Sequence, residues 1–69
     1  MKTTNAIIYV KTLTDTYRLI LHFVKERACG IIRESDQWMV ILNATPKEIG
    51  EYLAGEGIEV DDWVKALLI

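Results

Sequence analysis

Polar and hydrophobic residues alternate near the start of the chain, and this period of two predicts a β-strand over residues 5–12. Ile8 and Val10 occupy one side of the alternation, and the segment is rich in the β-branched and aromatic residues that favour extended backbone. The polar residues 14 and 15 follow, and their side-chain oxygens are suited to capping the first turn of a helix.

Residues 16–29 fit two periods at once. As a helix, the segment would have one apolar stripe formed by Tyr17, Ile20, Leu21, Val24 and Ala28. As a strand, it would have one apolar face formed by Tyr17, Leu19, Leu21 and Phe23. The end of the segment favours a helix, because Lys25 and Arg27 would lie near the negative pole and Gly30 can adopt a left-handed cap. We therefore predict a helix here.

Two further strands are predicted over residues 30–34 and 37–43, joined by a turn at Ser35 and Asp36. The strand over residues 37–43 contains an uninterrupted apolar run, residues 38–42. Such a run is expected of a strand covered on both faces, either within the chain or by a partner on one face.

A second helix is the clearest prediction from the sequence. Thr45 and Glu48 have the spacing of a capping box, and Pro46 occupies the first helical position, where its missing N–H costs nothing. The apolar stripe of this helix is Ile49, Tyr52 and Leu53, and Gly55 and Gly57 are expected to end it. Gly50 and Ala54, four residues apart, either form a small-residue groove where another backbone can approach closely or reflect a mere tolerance of the helix for glycine.

The C-terminal part of the chain predicts a short strand over residues 58–60 and a last helix over residues 63–68, capped by Asp61 or Asp62. The resulting order, strand–helix–strand–strand–helix–short strand–helix, matches an α+β, ferredoxin-like split β-α-β fold. The alternative is a four-stranded antiparallel meander followed by two helices. We expect one small domain spanning residues 1–69.

Residues 53–60 resemble the helix–turn–strand ending of small ligand-sensing regulatory domains of the ACT type. The resemblance covers the last third of the chain. Such domains usually carry a proline-glycine turn before the first helix, whereas residues 13–16 read Leu-Thr-Asp-Thr here. Amino-acid binding is therefore not carried over, and small-ligand sensing is kept as a third hypothesis.

Composition narrows the classes of protein to consider. The chain has 69 residues, of which 51% are hydrophobic and 26% charged, which excludes intrinsic disorder. The single Cys29 excludes an internal disulfide and a thiolate zinc cluster. Only five apolar residues follow the polar start, fewer than a signal peptide needs, and no apolar run approaches the length of a membrane span. We expect a cytoplasmic protein without membrane contact.

Candidate catalytic chemistry is sparse. His22 and Cys29 are the only histidine and cysteine, and on a helix they would lie about 10.5 Å apart along the axis, too far for a base and its nucleophile. The acidic residues between 56 and 62 lack the spacing of a calcium loop, and residues 55–57 lack a phosphate-binding motif. We predict no catalytic residue, no metal site and no cofactor, hence no enzyme.

The net charge of −2 conceals two unequal halves. From residue 1 to 33, six Lys and Arg oppose two Asp and Glu, whereas from residue 34 to 69 two oppose eight. The basic half suggests nucleic-acid binding as an alternative function, with contacts from Arg18, Lys25, Arg27 and Arg33. The isoelectric point of about 5.2 argues against it, because nucleic-acid-binding domains are commonly basic.

The excess of large apolar residues over what so short a chain can bury favours a protein-interaction module. The candidate interface residues are Trp38, Trp63, Leu67, Leu68 and Ile69. An edge strand over residues 6–11 is suited to pairing with a copy of itself or with a target. We therefore expect a regulator, inhibitor or adaptor that docks on a partner protein and forms a homodimer, with the acidic half as its charged surface.

Overall fold

A computed structural model describes residues 4–69, which form a four-stranded sheet followed by two helices. The elements are β1 (Asn5–Lys11), β2 (Thr16–His22), β3 (Cys29–Arg33), β4 (Trp38–Ala44), α1 (Pro46–Gly55) and α2 (Asp62–Leu67). Each strand pairs antiparallel with the next along the chain, in the order β1-β2-β3-β4. The meander followed by two helices is therefore correct, and the ferredoxin-like order is not confirmed.

The predicted helix over residues 16–29 is wrong, because this segment contains β2 and the turn that follows it. Leu19 and Leu21 are fully buried while Ile20 between them faces the other side of the sheet, the alternation of a strand. All seven residues of β2 pair with β1 and four of them also pair with β3. Lys25 and Arg27, which suggested a helix end, lie in the exposed turn between β2 and β3.

Gly30 lies within β3 and is not a helix cap. A Cβ atom at this position would come within 2.8 Å of the Ile41 carbonyl oxygen on β4, closer than packed atoms approach. The glycine is therefore needed for the close approach of two strands.

The pairing of β3 with β4 is irregular. Ile31 lies opposite Ile41 and Ile32 lies opposite Met39, so Val40 is an extra residue on β4. The register shifts a second time between the Ile31–Ile41 pair and the Cys29–Ala44 pair at the end of β4, and Asn43 in this interval has a φ of 58°. Extra residues of this kind are β-bulges, which bend a strand and interrupt its ladder of hydrogen bonds. The outer edge of β4 is therefore uneven.

The capping box of α1 is confirmed. The Glu48 backbone N–H donates to Thr45 Oγ1 over 3.2 Å, and the Thr45 N–H donates to Glu48 Oε1 over 3.0 Å. Of the predicted stripe, Ile49 and Leu53 are buried and Tyr52 is partly buried against the core. The helix ends at Gly55, and Gly57 has the left-handed φ of 71° that glycine adopts without strain.

The predicted strand over residues 58–60 is wrong, because this segment is an irregular connection between the two helices. α2 begins after Asp61, whose side chain makes no capping hydrogen bond. Of the two interpretations of Gly50, the close approach is correct, since a Cβ there would lie 3.1 Å from both the Cβ and the carbonyl oxygen of Leu68.

The core lies between one face of the sheet and the two helices. Its buried residues are Ile8, Val10, Leu19, Leu21, Cys29, Ile31, Ala44, Ile49, Leu53, Val64 and Leu68. No buried polar or charged residue interrupts it among residues 4–69. Within the same range, neither helix has the length and apolar character needed to cross a membrane.

Candidate protein-interaction surface

The sheet has a second face, here called the outer face, that points away from the core. Cross-strand pairing places its residues in rows, because directly opposed residues project to the same side. One row contains Ile7, Ile20 and Gly30, and the next contains Tyr9, Arg18, Ile32 and Met39. Leu42 follows the core-facing Ile41 on β4 and lies on the outer face as well.

Large apolar side chains on this face are open to solvent. The most exposed are Ile7 (61%), Tyr9 (62%), Met39 (47%) and Leu42 (59%). Ile20 and Ile32 between them are partly exposed. Since these residues belong to all four strands, the apolar surface extends across the width of the sheet. Contiguous patches of this kind on small proteins commonly mark interaction sites.

Arg18 is a charged residue in the middle of these apolar side chains. Arg18 Nε lies 3.2 Å from Glu34 Oε1, an ion pair whose angle does not make a hydrogen bond. Arg18 Nη2 also donates to Gln37 Oε1 over 3.2 Å. Glu34 therefore offsets the charge of Arg18. The aliphatic part of the Arg18 side chain lies beside Tyr9 and Ile32 in the same row.

The predicted interface residues lie on β4, on α2 and at the chain end. Trp38 and Trp63 are both exposed, at 61% and 59%, and so is Ile69. Trp38 pairs with Arg33 and alternates with Met39, so it projects to the side of the sheet opposite the outer face. Leu67 is partly buried, and Leu68 packs in the core.

The arginines proposed as nucleic-acid contacts are all in ion pairs with carboxylates. Besides the Arg18 pair, Arg27 Nη1 lies 2.9 Å from Glu48 Oε1, and Arg33 Nη2 lies 2.7 Å from Asp36 Oδ2. The hydrogen bond from Arg33 lowers the pKa of Asp36. Lys25 lies in the exposed turn between β2 and β3. The sequence-level excess of positive charge is thus offset locally by the acidic residues.

The two turns at one end of the sheet are joined by hydrogen bonds. Ser35 Oγ donates to Asp15 Oδ2 over 2.6 Å, which lowers the pKa of Asp15. The Glu34 N–H donates to the Thr16 carbonyl over 2.9 Å. The position of Glu34 beside the outer face therefore depends on contacts between neighbouring turns.

His22 and Cys29 are closer than the predicted helix would place them, because they lie on the neighbouring strands β2 and β3. The contact involves the His22 backbone: its N–H donates to Cys29 Sγ over 3.2 Å, and the thiol donates to the His22 carbonyl over 3.5 Å. Cys29 belongs to the core, whereas His22 pairs with Asn5 on the outer face. The imidazole and the thiol are thus on opposite faces and do not form a base–nucleophile pair.

The surface between α1 and α2 carries an apolar groove of about 570 Å³. Its lining includes Gly50, Ala54, Ile58, Val60 and Leu68. This is the region where the small-ligand hypothesis expects its site. Within residues 4–69, no three His, Cys, Asp or Glu side chains are grouped closely enough to hold a metal ion.

The interface residues named from the sequence include none of the exposed apolar residues of the outer face, although Ile7 and Tyr9 belong to the edge strand that was expected to pair. The sequence of β1 does indicate them. A strand with one face in the core usually has polar residues at the positions of its other face, whereas β1 has Ile7 and Tyr9 there. In β4 the signal is obscured, because the bulges change which residues share a face.

Comparisons with protein-family models, with curated proteins and with solved structures find no match for this chain.

Proposed function

We propose that this chain is a non-enzymatic protein-interaction module that docks on a partner protein through the outer face of its sheet. The observation that carries the proposal is the exposure of Ile7, Tyr9, Met39 and Leu42 on a face that neither helix covers. Burying such side chains against a partner is favourable by about 25 cal/mol per Å² of apolar surface.

The residue types on the outer face support a protein partner. Tyrosine, methionine and arginine are enriched at protein–protein interfaces, and tyrosine and arginine frequently dominate the binding energy. Tyr9, Arg18 and Met39 stand in one row across the sheet. The ion pair with Glu34 lowers the free-energy cost of burying Arg18 against a partner, because a paired charge is less costly to desolvate than a lone one.

The distribution of charge supports a proposal for the chemistry of the partner. Residues 4–44 carry five Lys and Arg against four Asp and Glu, whereas residues 45–69 carry two against six. The helices pack on the core face of the sheet, so this acidic part of the chain lies on the side opposite the outer face. On the outer face, Lys11 at the end of β1 is exposed, two residues from Tyr9. A partner with an apolar centre and a carboxylate at its rim fits this face, and the acidic side repels acidic surfaces. The proposed role is that of a small regulator, inhibitor or adaptor.

The proposal is tested with a partner captured from the native host and then purified. Leu42→Ser and Tyr9→Ser remove exposed side chains of the outer face, and each is expected to weaken binding about tenfold, the loss typical of a contact worth about 1.4 kcal/mol. Trp63→Ser is the matched control, because Trp63 is equally exposed but lies on α2. Circular dichroism checks that all variants fold.

Two results would overturn the proposal. One is equal loss of binding in Trp63→Ser and in the outer-face variants, which would mean that the contact is not specific to the sheet. The other is a captured species that is nuclease-sensitive and dissociates steeply with added salt, which would favour the nucleic-acid alternative.

A further inference from the structure

β1 is an edge strand whose outward hydrogen-bonding groups can be assigned residue by residue. The Thr12 N–H donates to the Asp15 carbonyl over 2.8 Å, and the Phe23 N–H donates to the Thr4 carbonyl over 2.9 Å. In an antiparallel pair, hydrogen-bonded and non-hydrogen-bonded pairs alternate. The even-numbered residues of β1 therefore bond to β2, and the odd-numbered residues direct their N–H and C=O groups away from the sheet.

The odd-numbered residues are Asn5, Ile7, Tyr9 and Lys11. No backbone or side-chain group within residues 4–69 bonds to their outward N–H and C=O groups, and their side chains are all exposed. The strand is regular over its seven residues, whereas the opposite edge of the sheet, β4, is interrupted by bulges. Natural proteins usually protect such an edge, since its free N–H and C=O groups can pair with a strand of another chain.

We propose that β1 pairs antiparallel with β1 of a second copy of this chain, about a two-fold axis that passes beside Ile8. This register pairs every residue of the strand. It places Ile7 opposite Tyr9 of the second copy and Asn5 opposite Lys11 of the second copy. The odd-numbered residues then form the hydrogen-bonded pairs, which gives about eight new backbone hydrogen bonds.

The side chains of β1 are compatible with this pairing on both faces of the sheet. On the outer face, Ile7 opposite Tyr9 is an aliphatic–aromatic pair of the kind that stabilises neighbouring strands. On the core face, Ala6 would lie opposite Val10 and Ile8 would lie opposite Ile8 of the second copy. No charged side chain would then lie between the two strands on this face. Only Lys11 is charged in this strand, and at the end of the pairing it meets the neutral Asn5.

The dimer goes beyond the proposed function and depends on a different observation, the free edge of β1. The pairing would join two sheets into one of eight strands. It would also make the outer faces of the two copies continuous, because Ile7 and Tyr9 lie both on the paired edge and on the outer face. A partner would then meet one wider apolar surface with two-fold symmetry.

The first experiment measures amide hydrogen exchange in the whole chain as a function of its concentration. In the monomer, the amides of Ile8 and Val10 are protected by β2, and those of Ile7 and Tyr9 exchange freely. In the dimer, the amides of Ile7 and Tyr9 become protected as well. Their exchange is expected to slow about tenfold when about nine-tenths of the chain is dimeric. An unchanged alternation of fast and slow amides in a dimeric sample would overturn the proposal.

The second experiment uses two substitutions at one position. Ile7→Pro removes an outward N–H that β2 does not use, so it is expected to leave a folded monomer in analytical ultracentrifugation. Ile7→Thr keeps the N–H and the β-branched shape, and it is expected to remain dimeric. Protection of the Val10 amide checks that each variant retains the sheet. A folded Ile7→Pro variant that remains dimeric would overturn the edge pairing.

A third measurement distinguishes this inference from the proposed function. Leu42→Ser alters the outer face far from β1, so it is expected to weaken partner binding and leave the dimer intact. A dimer that is lost in Leu42→Ser but kept in Ile7→Pro would be a face-to-face dimer and would contradict the edge pairing. A wild-type chain that is monomeric up to about 1 mM, the weak end of specific affinity, would also overturn it.

Discussion

At the scale of the residue, Gly30 shows how a single missing side chain permits two strands to lie together. The position faces the Ile41 carbonyl, and a methyl group there would come within 2.8 Å of it. We predict that Gly30→Ala destabilises the fold by about 1–3 kcal/mol, the usual cost of overpacking, because a backbone atom must move to relieve the contact. The shift of the urea midpoint measures this loss.

Gly55 supplies the control for that prediction. It is the last residue of α1, and a Cβ added there meets nothing within 4 Å. Gly55→Ala is therefore expected to be neutral or to stabilise the fold by up to about 1 kcal/mol, since alanine restricts the unfolded chain. Equal destabilisation by the two substitutions would show that loss of glycine, rather than contact with Ile41, is responsible.

The sequence interpretation of Gly30 failed for a physical reason. A glycine after a cationic segment is typical of a helix end, and nothing in the neighbouring residues distinguishes that role from a close approach between strands. The distinction depends on Ile41, which lies more than ten residues further along the chain. At Gly50 the spacing of small residues allows close packing without requiring it, and the contact with Leu68 decides in favour of close packing.

At the scale of the element, α1 could be predicted in full because its signals are local. The capping box, the proline and the terminal glycines all lie within about one turn of the helix ends that they specify. β2 could not be predicted, since its apolar residues satisfy both the helical and the strand period. Pairing with β1 and β3 on both sides decided between them, and tertiary context routinely overrides local propensity in this way.

The capping box gives a prediction with a defined pH dependence. The backbone N–H of Thr45, helped by the nearby Arg27, lowers the pKa of Glu48 in the folded chain. A carboxyl whose pKa is lowered on folding stabilises the fold above its unfolded pKa, about 4.3, and loses that contribution as the pH falls through the folded value. Glu48→Gln is therefore expected to lower stability at pH 7, with a difference that shrinks below about pH 4.

Thermal unfolding from pH 7 to pH 3 measures this difference. Glu51→Gln is the control, because Glu51 is exposed on the same helix and takes no part in the cap. Thr45→Ala removes the other half of the box and is expected to cost about 1 kcal/mol. A Glu48→Gln effect that stays constant down to pH 3 would contradict a role for the ionised carboxylate.

At the scale of the whole molecule, the C-terminal residues connect α2 to the rest of the core. Leu68 packs against Gly50, whereas the neighbouring Ile69 is exposed. Leu68→Ala is expected to cost about 2–5 kcal/mol, a large fraction of the stability of so small a domain. Ile69→Ala is expected to cost almost nothing. Urea unfolding followed by tryptophan fluorescence compares them, and similar midpoints would contradict this packing.

The candidate interaction surface is also a property of the whole molecule. The sequence indicated an excess of apolar residues and an exposed edge near residues 6–11, and it therefore favoured a protein partner. It could not indicate the outer face, because that face is formed only when four strands lie side by side and both helices pack on one side. The two tryptophans could be proposed as interface residues only because of their residue type.

The bulges of β4 have a consequence for how far assembly through strand edges could proceed. A sheet with two regular edges can add copies at both and grow into an open fibre. Here the pairing proposed for β1 would consume the regular edges of both copies, and the two edges left at the ends of the joined sheet would be those of β4. Since Val40 and Asn43 lie where the β4 ladder is irregular, assembly by this route would stop at two chains.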